Sequence, residues 1–180
     1  MRDDFDLAEE PKGAFVSFKE ATHYLEDVCA RLKVNQLSYN LVHFIDGTPD
    51  QVSWIATYDP AYMSHYLERY TQLGDPTFEI AFADNAVVDW AELLSSDPMW
   101  QELLPVATRY GITKYGVSFP LKDGDFGNLL FSVNVKSSDE DWILLRDSLA
   151  ERFRPFAVYF HGRAKPLIQS RKFAEINFAA

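Results

Sequence analysis

Cysteine is nearly missing from this 180-residue chain, in which Cys29 stands alone. An intrachain disulfide is therefore excluded, and so is a zinc centre built on several thiolates. Cys29 itself reads as a small buried apolar residue rather than a nucleophile. Long apolar runs are missing too, none approaching the roughly 18 residues that a membrane helix needs. Positive charge is scarce in the middle of the chain: between residues 34 and 108 eleven carboxylates face one base, Arg69, and the whole chain carries a formal net charge of −10. Such a field repels a phosphate backbone, so no nucleic-acid partner is expected, while a neutral small molecule is admissible. The bases Arg163, Lys165, Arg171 and Lys172 near the end read as a solvated tail. The opening MRDDFDLAEE holds five acids and one arginine, the reverse of a secretory or transit leader, so a cytoplasmic protein without membrane contact is expected.

Familiar catalytic signatures are also lacking. No G-x-S-x-G, H-E-x-x-H, G-x-x-x-x-G-K-[ST] or G-x-G-x-x-G occurs. His23, His43, His65 and His161 are far apart and without the local spacings of metal ligands. The scattered acids offer no pair assignable as acid and base. No enzyme, no metal and no cofactor are therefore expected.

What the chain has in abundance is aromatic rings, 15% of its residues, which calls for a bulky core or an aromatic-lined pocket. Ser17 and Glu20 form a capping box ahead of Phe18, Ala21, Leu25, Val28 and Leu32, which marks a first helix. Residues up to about Gly13 read as mobile. Gln36–Ile45 and Gln51–Tyr58 read as a hairpin around residues 46–50. Asp-Pro pairs at 59/60, 75/76 and 97/98 each combine an N-cap carboxylate with an N1 proline. They predict helices over 61–71, 77–83 and 99–110, the last stopped by Gly111, with a short extended segment at 86–90 before it. Lys114–Pro120 and Phe126–Val135 predict two paired strands turning at 122–125. A Ser137–Glu140 capping box then opens a long helix with Trp142, Leu145, Leu149, Phe153, Phe156 and Phe160 on one stripe, which Pro155 should kink or restart. This order predicts an α+β fold, an α-β-α sandwich around a mostly antiparallel five-stranded sheet.

Two patterns bear on function. Tyr58, Tyr62, Tyr66 and Tyr70 recur in steps of four, which suits either a core stripe or a pocket wall mixing apolar area with donors. In the later strands Tyr115, Val117, Phe119, Phe131, Val133 and Val135 define a large apolar face, while Gly116, Ser118, Leu130, Ser132 and Asn134 define a smaller one. The small face either meets solvent or, under a helical layer, leaves volume for a ligand.

The run Tyr58-Asp59-Pro60, Tyr62, Tyr66, Asp75-Pro76-Thr77, Trp90, Gly116, Pro120 and Ser132 resembles the autoinducer-binding domain of LuxR-type quorum-sensing regulators over residues 17–165. Tyr66, Asp75, Pro76, Trp90 and Gly116 match that family's pattern, and Tyr62 departs from it where a Trp is usual. The resemblance implies an N-acyl-homoserine lactone between the sheet and the tyrosine-bearing helices, and the hydrophobic stripe on the last helix suits a homodimer. The resemblance also implies that Asp75 accepts the ligand amide N–H, that Tyr58 and Ser132 donate toward the amide carbonyl, that Trp90 packs on the lactone ring, and that Tyr62, Tyr66, Thr77 and Gly116 complete the site. Residues 1–16 are then a mobile acidic segment and 166–180 a tail or the start of a linker. Because no helix-turn-helix follows, the chain is expected to be the sensor half of a longer regulator or a naturally short protein that pairs with a full-length one.

Overall fold

A computed structural model of the chain describes residues 7, 10–45, 48–124 and 127–169. The first helix, α1 (Phe18–Leu32), starts where Ser17 Oγ accepts the Glu20 N–H, and Glu20 reaches back one residue further than a standard box to the N–H of Val16. Lys33, at φ 56°, ends it. Strands β1 (Gln36–Ile45) and β2 (Thr48–Ala56) form the expected hairpin. Part of its turn, residues 46 and 47, lies outside the described residues, as do residue 125 of the later turn and residues 170–180.

Each Asp-Pro pair begins a helix for the reason the sequence suggests. Asp59 Oδ1 accepts the Ala61 N–H at 2.7 Å at the head of α2 (Pro60–Leu73). Asp75 Oδ1 accepts the Thr77 N–H at 2.8 Å ahead of α3 (Pro76–Ala83). After the two-residue strand β3 (Val88–Asp89) comes α4 (Trp90–Ser96), which the sequence reading lacks: Asp89 caps it through Ala91, but with no proline to advertise the start. Asp97 then opens α5 (Pro98–Arg109), and Gly111, at φ 76°, takes the left-handed conformation expected of a stop.

Strands β4 (Gly116–Asp123) and β5 (Gly127–Asn134) complete one sheet of order β2-β1-β5-β4-β3, every pair antiparallel. The last helix, α6 (Asp139–Gln169), is capped one residue later than expected, by Ser138 against the Asp141 N–H. It runs through Pro155 as one helix rather than restarting. Pro155 is exposed while Phe153, Phe156, Ala157 and Phe160 are buried, so the bond lost to proline is on the wet side and packing holds the axis. Leu167 and Ile168, within the stretch expected to be tail, are buried in the same helix. At the other end Glu10 and Phe15 are buried too, and Arg163 stacks 3.9 Å over the Phe15 ring.

Helices α1 and α6 cover the large apolar face of the sheet, where Val117, Phe119, Phe131 and Val133 meet Leu25, Phe153, Phe156 and Phe160. Each such ring, fully buried, contributes about 1.5–3 kcal/mol. One polar chain crosses this layer: Tyr39 and Asp123 bracket His161 through its two ring nitrogens at 2.7 and 2.8 Å. The small face is not solvent-facing. Residues of α2–α5 form a second apolar cluster on it around Tyr62, Phe78, Trp90, Leu93, Met99, Trp100 and Leu103.

Candidate functional site

Cross-strand register decides what the covered small face looks like. Ser38 of β1, Ser132 of β5 and Ser118 of β4 stand opposite one another, so three hydroxyls form one row across the sheet. The next row on the same face is Trp54, Asn40 and Leu130. Above these rows α2–α5 leave a slot, and all six residues line it. The floor therefore changes from hydroxyls to mostly apolar groups over one step along the strands.

Over the slot stand Tyr62 and Tyr66 of α2, with Tyr58 just ahead of that helix. The rings of Tyr58 and Tyr62 meet edge-on at 5.6 Å, and those of Tyr62 and Tyr66 lie 6.4 Å apart. The ladder is thus a wall rather than a buried seam; the side chain of Tyr70 lies outside the described residues. Tyr58 is hydrogen-bonded with Ser38, and burial pushes its hydroxyl up to about 12 against that bond. Burial also carries the Tyr62 hydroxyl well above the usual tyrosine range.

Asp75 is the best-held group in the wall. It is 6% exposed, and besides the Thr77 N–H it accepts from the Tyr66 hydroxyl at 2.7 Å and the Trp100 indole N–H at 3.4 Å. Loss of solvent raises its pKa, and hydrogen bonds from Thr77, Tyr66 and Trp100 oppose that rise. Its sequence twins Asp59 and Asp97 cap helices in less buried surroundings, so the three Asp-Pro pairs share a local role while only Asp75 faces the slot.

Trp90 lies beside Trp100, ring centres 5.1 Å apart, and its indole N–H donates to Ser118 Oγ at 2.9 Å, which is bonded in turn to Ser132 Oγ at 2.8 Å. Gly116 is the reason the indole fits: a Cβ there would stand 2.4 Å from Trp90 Cε3. Of the eight expected residues, Tyr58, Tyr62, Tyr66, Asp75, Thr77, Trp90 and Ser132 share the slot. Gly116 is not in its lining and acts through Trp90. Sequence reasoning missed Trp100, Ser38, Ser118, Asn40 and Trp54. The serines carried a signal, small polar residues at alternate strand positions, but their alignment depends on register; Trp100 reads as one more apolar residue of a helix stripe.

Fold and site together define an α+β domain with an aromatic, partly polar slot between sheet and helices. The chain belongs to the autoinducer binding domain family, whose model matches residues 17–164. No curated protein matches it in sequence. It resembles the structure of an N-acylhomoserine lactone dependent LuxR family transcription factor, CepR2 of Burkholderia cenocepacia, at 18% identity and TM-score 0.59, covering 83% of this chain and 88% of that one. It also resembles SdiA in complex with octanoyl-rac-glycerol, at 18% identity and TM-score 0.56, covering 88% of this chain and 63% of that one. A crystal structure of Escherichia coli SdiA gives 19% identity and TM-score 0.54, with 84% and 63% covered. The chain thus spans under two thirds of the length of those SdiA chains.

Proposed function

We propose that this domain binds an N-acyl-homoserine lactone and serves as the sensor part of a quorum-sensing transcriptional regulator. The carrying observation is the slot's gradation: the serine row of the floor, bonded to Tyr58 and Trp90, gives way one step along the strands to Trp54 and Leu130 beside Asn40, while Asp75, the tyrosines, Val52, Met63 and Phe78 complete the lining. That gradation suits a molecule joining a polar head to an acyl chain. The lactone of CepR2 and the octanoylglycerol of SdiA, as those proteins are described, share that plan. In this reading Asp75 accepts the ligand amide N–H, a charge-assisted bond of about 1.5–3 kcal/mol, and Tyr58 and Ser132 face the amide carbonyl. Trp90 covers the lactone ring, with Gly116 seating it, and Tyr62, Tyr66 and Thr77 enclose the head.

The role is binding rather than turnover: Asp75 is held by the Thr77 N–H, the Tyr66 hydroxyl and the Trp100 indole, and the described residues that line the slot offer it no histidine, cysteine or second acid as a catalytic partner. Exposed Ile143, Leu144 and Val158 on α6 support a homodimer through that helix. The net charge of −10 supports a domain that leaves DNA contact to another part of a cytoplasmic regulator. A melting scan of the 180-residue chain with homoserine lactones of C4 to C16 acyl length tests the central claim. Ligand at a hundredfold excess over Kd adds about 2.7 kcal/mol of stability, so at least one lactone should raise Tm. A flat response to all of them refutes the reading.

A further inference from the structure

Asn40 is the one amide in the apolar row, set between Trp54 and Leu130 and only 8% exposed. Its Nδ2 donates to Ser38 Oγ and to the Leu130 carbonyl, both at 3.2 Å. Those bonds fix the orientation of the amide, since a carbonyl oxygen can only accept, and they leave Oδ1 as the free end. Among the described residues Oδ1 has no donor, while Asn40 lines the slot. Once a ligand closes the slot over it, an acceptor without a donor is unfavourable by about the cost of a lost hydrogen bond. A plain acyl chain lying across it would leave that cost in place. So would a keto group, which brings a second acceptor against the first.

We infer that Asn40 selects for a hydroxyl on the acyl chain of the ligand, at the third carbon. This rests on the lactone reading above, and chain geometry sets the position. The Ser38–Ser132–Ser118 row, assigned to the amide carbonyl, is close to this amide: Nδ2 stands 3.2 Å from Ser38 Oγ, and Oδ1, about 2.3 Å from Nδ2 in the same planar group, is therefore within about 5.5 Å of the row. From the carbonyl carbon, two carbon–carbon bonds and one carbon–oxygen bond carry a 3-hydroxyl oxygen roughly 3.5 Å along the chain, each bond being about 1.5 Å. An O–H···O bond of about 2.8 Å then closes the gap to Oδ1. The hydroxyl is the donor and the amide oxygen the acceptor, with Ser38 and the Leu130 carbonyl holding the amide in place.

Three probes of equal length decide it: decanoyl-, 3-oxodecanoyl- and 3-hydroxydecanoyl-homoserine lactone, each titrated calorimetrically into the wild-type chain and into Asn40→Leu. In the wild type the 3-hydroxy compound should bind about three- to tenfold tighter than the unsubstituted one, the range of one neutral hydrogen bond, and the 3-oxo compound should bind weakest of the three. In Asn40→Leu the hydroxyl preference should vanish and the unsubstituted chain should bind best. Wild-type protein that binds all three alike, or prefers the 3-oxo form, overturns the inference and leaves the lactone reading standing, without reference to how well the variant folds. Binding of none of the three, by a chain that also fails to respond to other acyl lengths, overturns both.

Discussion

Asp89 holds Trp142: both carboxylate oxygens lie 3.1 Å from the indole Nε1, so α6 is tied to the residue that precedes the slot's Trp90. Arg146 adds a second tie to the same carboxylate at 3.1 Å and to Glu92 at 2.8 Å. Asp89 meanwhile caps α4 and pairs with Val117 in the sheet. One side chain therefore joins the slot's roof, the sheet edge and the long helix.

Asp89→Ala should cost more than a cap. Losing the N-cap removes about 1 kcal/mol, and stranding the Trp142 N–H adds about 1–3 kcal/mol, while Arg146 keeps Glu92. Asp97→Ala, which loses only the cap of α5, should cost about 1 kcal/mol. Urea unfolding of the two variants measures the difference, and equal losses would mean that the tie to α6 carries no weight.

Legibility in the sequence depends on whether a feature is local. Helix starts at Asp59, Asp75 and Asp97 are readable because cap and proline are neighbours, whereas α4 is not, its cap being followed directly by Trp90. The alternation along β4 and β5 yields two faces, but which face meets which helices is a matter of chain crossing. The order β2-β1-β5-β4-β3 brings Ser38 beside Ser132 although 94 positions separate them, and no local pattern encodes that. The tyrosine steps are visible in the sequence, while their role stays open until the slot gives them something to face. Gly116 belongs to the expected neighbourhood but plays a different part there, since its missing Cβ admits the Trp90 ring.

Gly116→Ala tests that part. A methyl 2.4 Å from Trp90 Cε3 forces the indole out of its bond with Ser118, and overpacking of this kind costs about 1–3 kcal/mol. Gly162→Ala is the control: the position is helical and exposed, and nothing lies within 4 Å of where the added methyl would stand, so it should stabilise by about 0.5–1 kcal/mol. Thermal melts should move in opposite directions. Lactone binding should fall only for Gly116→Ala.

Asp75 makes a pH prediction with a definite sign. Its carboxyl holds a proton more tightly folded than unfolded, because burial raises its pKa above the ordinary 3.8. Its contribution to stability is therefore greatest below that ordinary value and declines as pH climbs through the raised one, by at most about 1.4 kcal/mol per pH unit. Asp75→Asn, which keeps an acceptor for the Thr77 N–H, should remove this decline when unfolding is followed between pH 4 and 8. Lactone binding should run the other way in the wild type. An amide N–H favours the ionised carboxylate, so binding expels the proton and affinity rises with pH over the same window. Parallel pH curves for wild type and Asp75→Asn would show that Asp75 stays ionised throughout and that the argument from burial fails.

Tyr62 is the position that departs from the family pattern, and its surroundings say what the departure does. The ring is 4% exposed, with Tyr58, Tyr66 and Tyr110 centred 5.6, 6.4 and 6.1 Å away. Among the described residues nothing bonds its hydroxyl, and Tyr62 lines the slot, so on the proposed reading this donor is available to the ligand. Tyr62→Phe removes that donor without changing the packing. The fold should keep its stability to within about 1 kcal/mol, while lactone affinity drops about two- to tenfold, the worth of a neutral hydrogen bond of about 0.5–1.5 kcal/mol. Tyr62→Trp restores the family's residue and moves the donor to an indole N–H on a different vector. A larger ring among three tyrosines overpacks the wall by about 1–3 kcal/mol, so this variant should melt lower and yet bind a standard lactone more tightly than Tyr62→Phe does. Titrating the three proteins with one lactone and its ring-opened acid separates the effects. If Tyr62→Phe binds as the wild type does, the tyrosine serves packing alone; if it loses the acid and the lactone equally, the hydroxyl reads the amide end of the ligand rather than the ring.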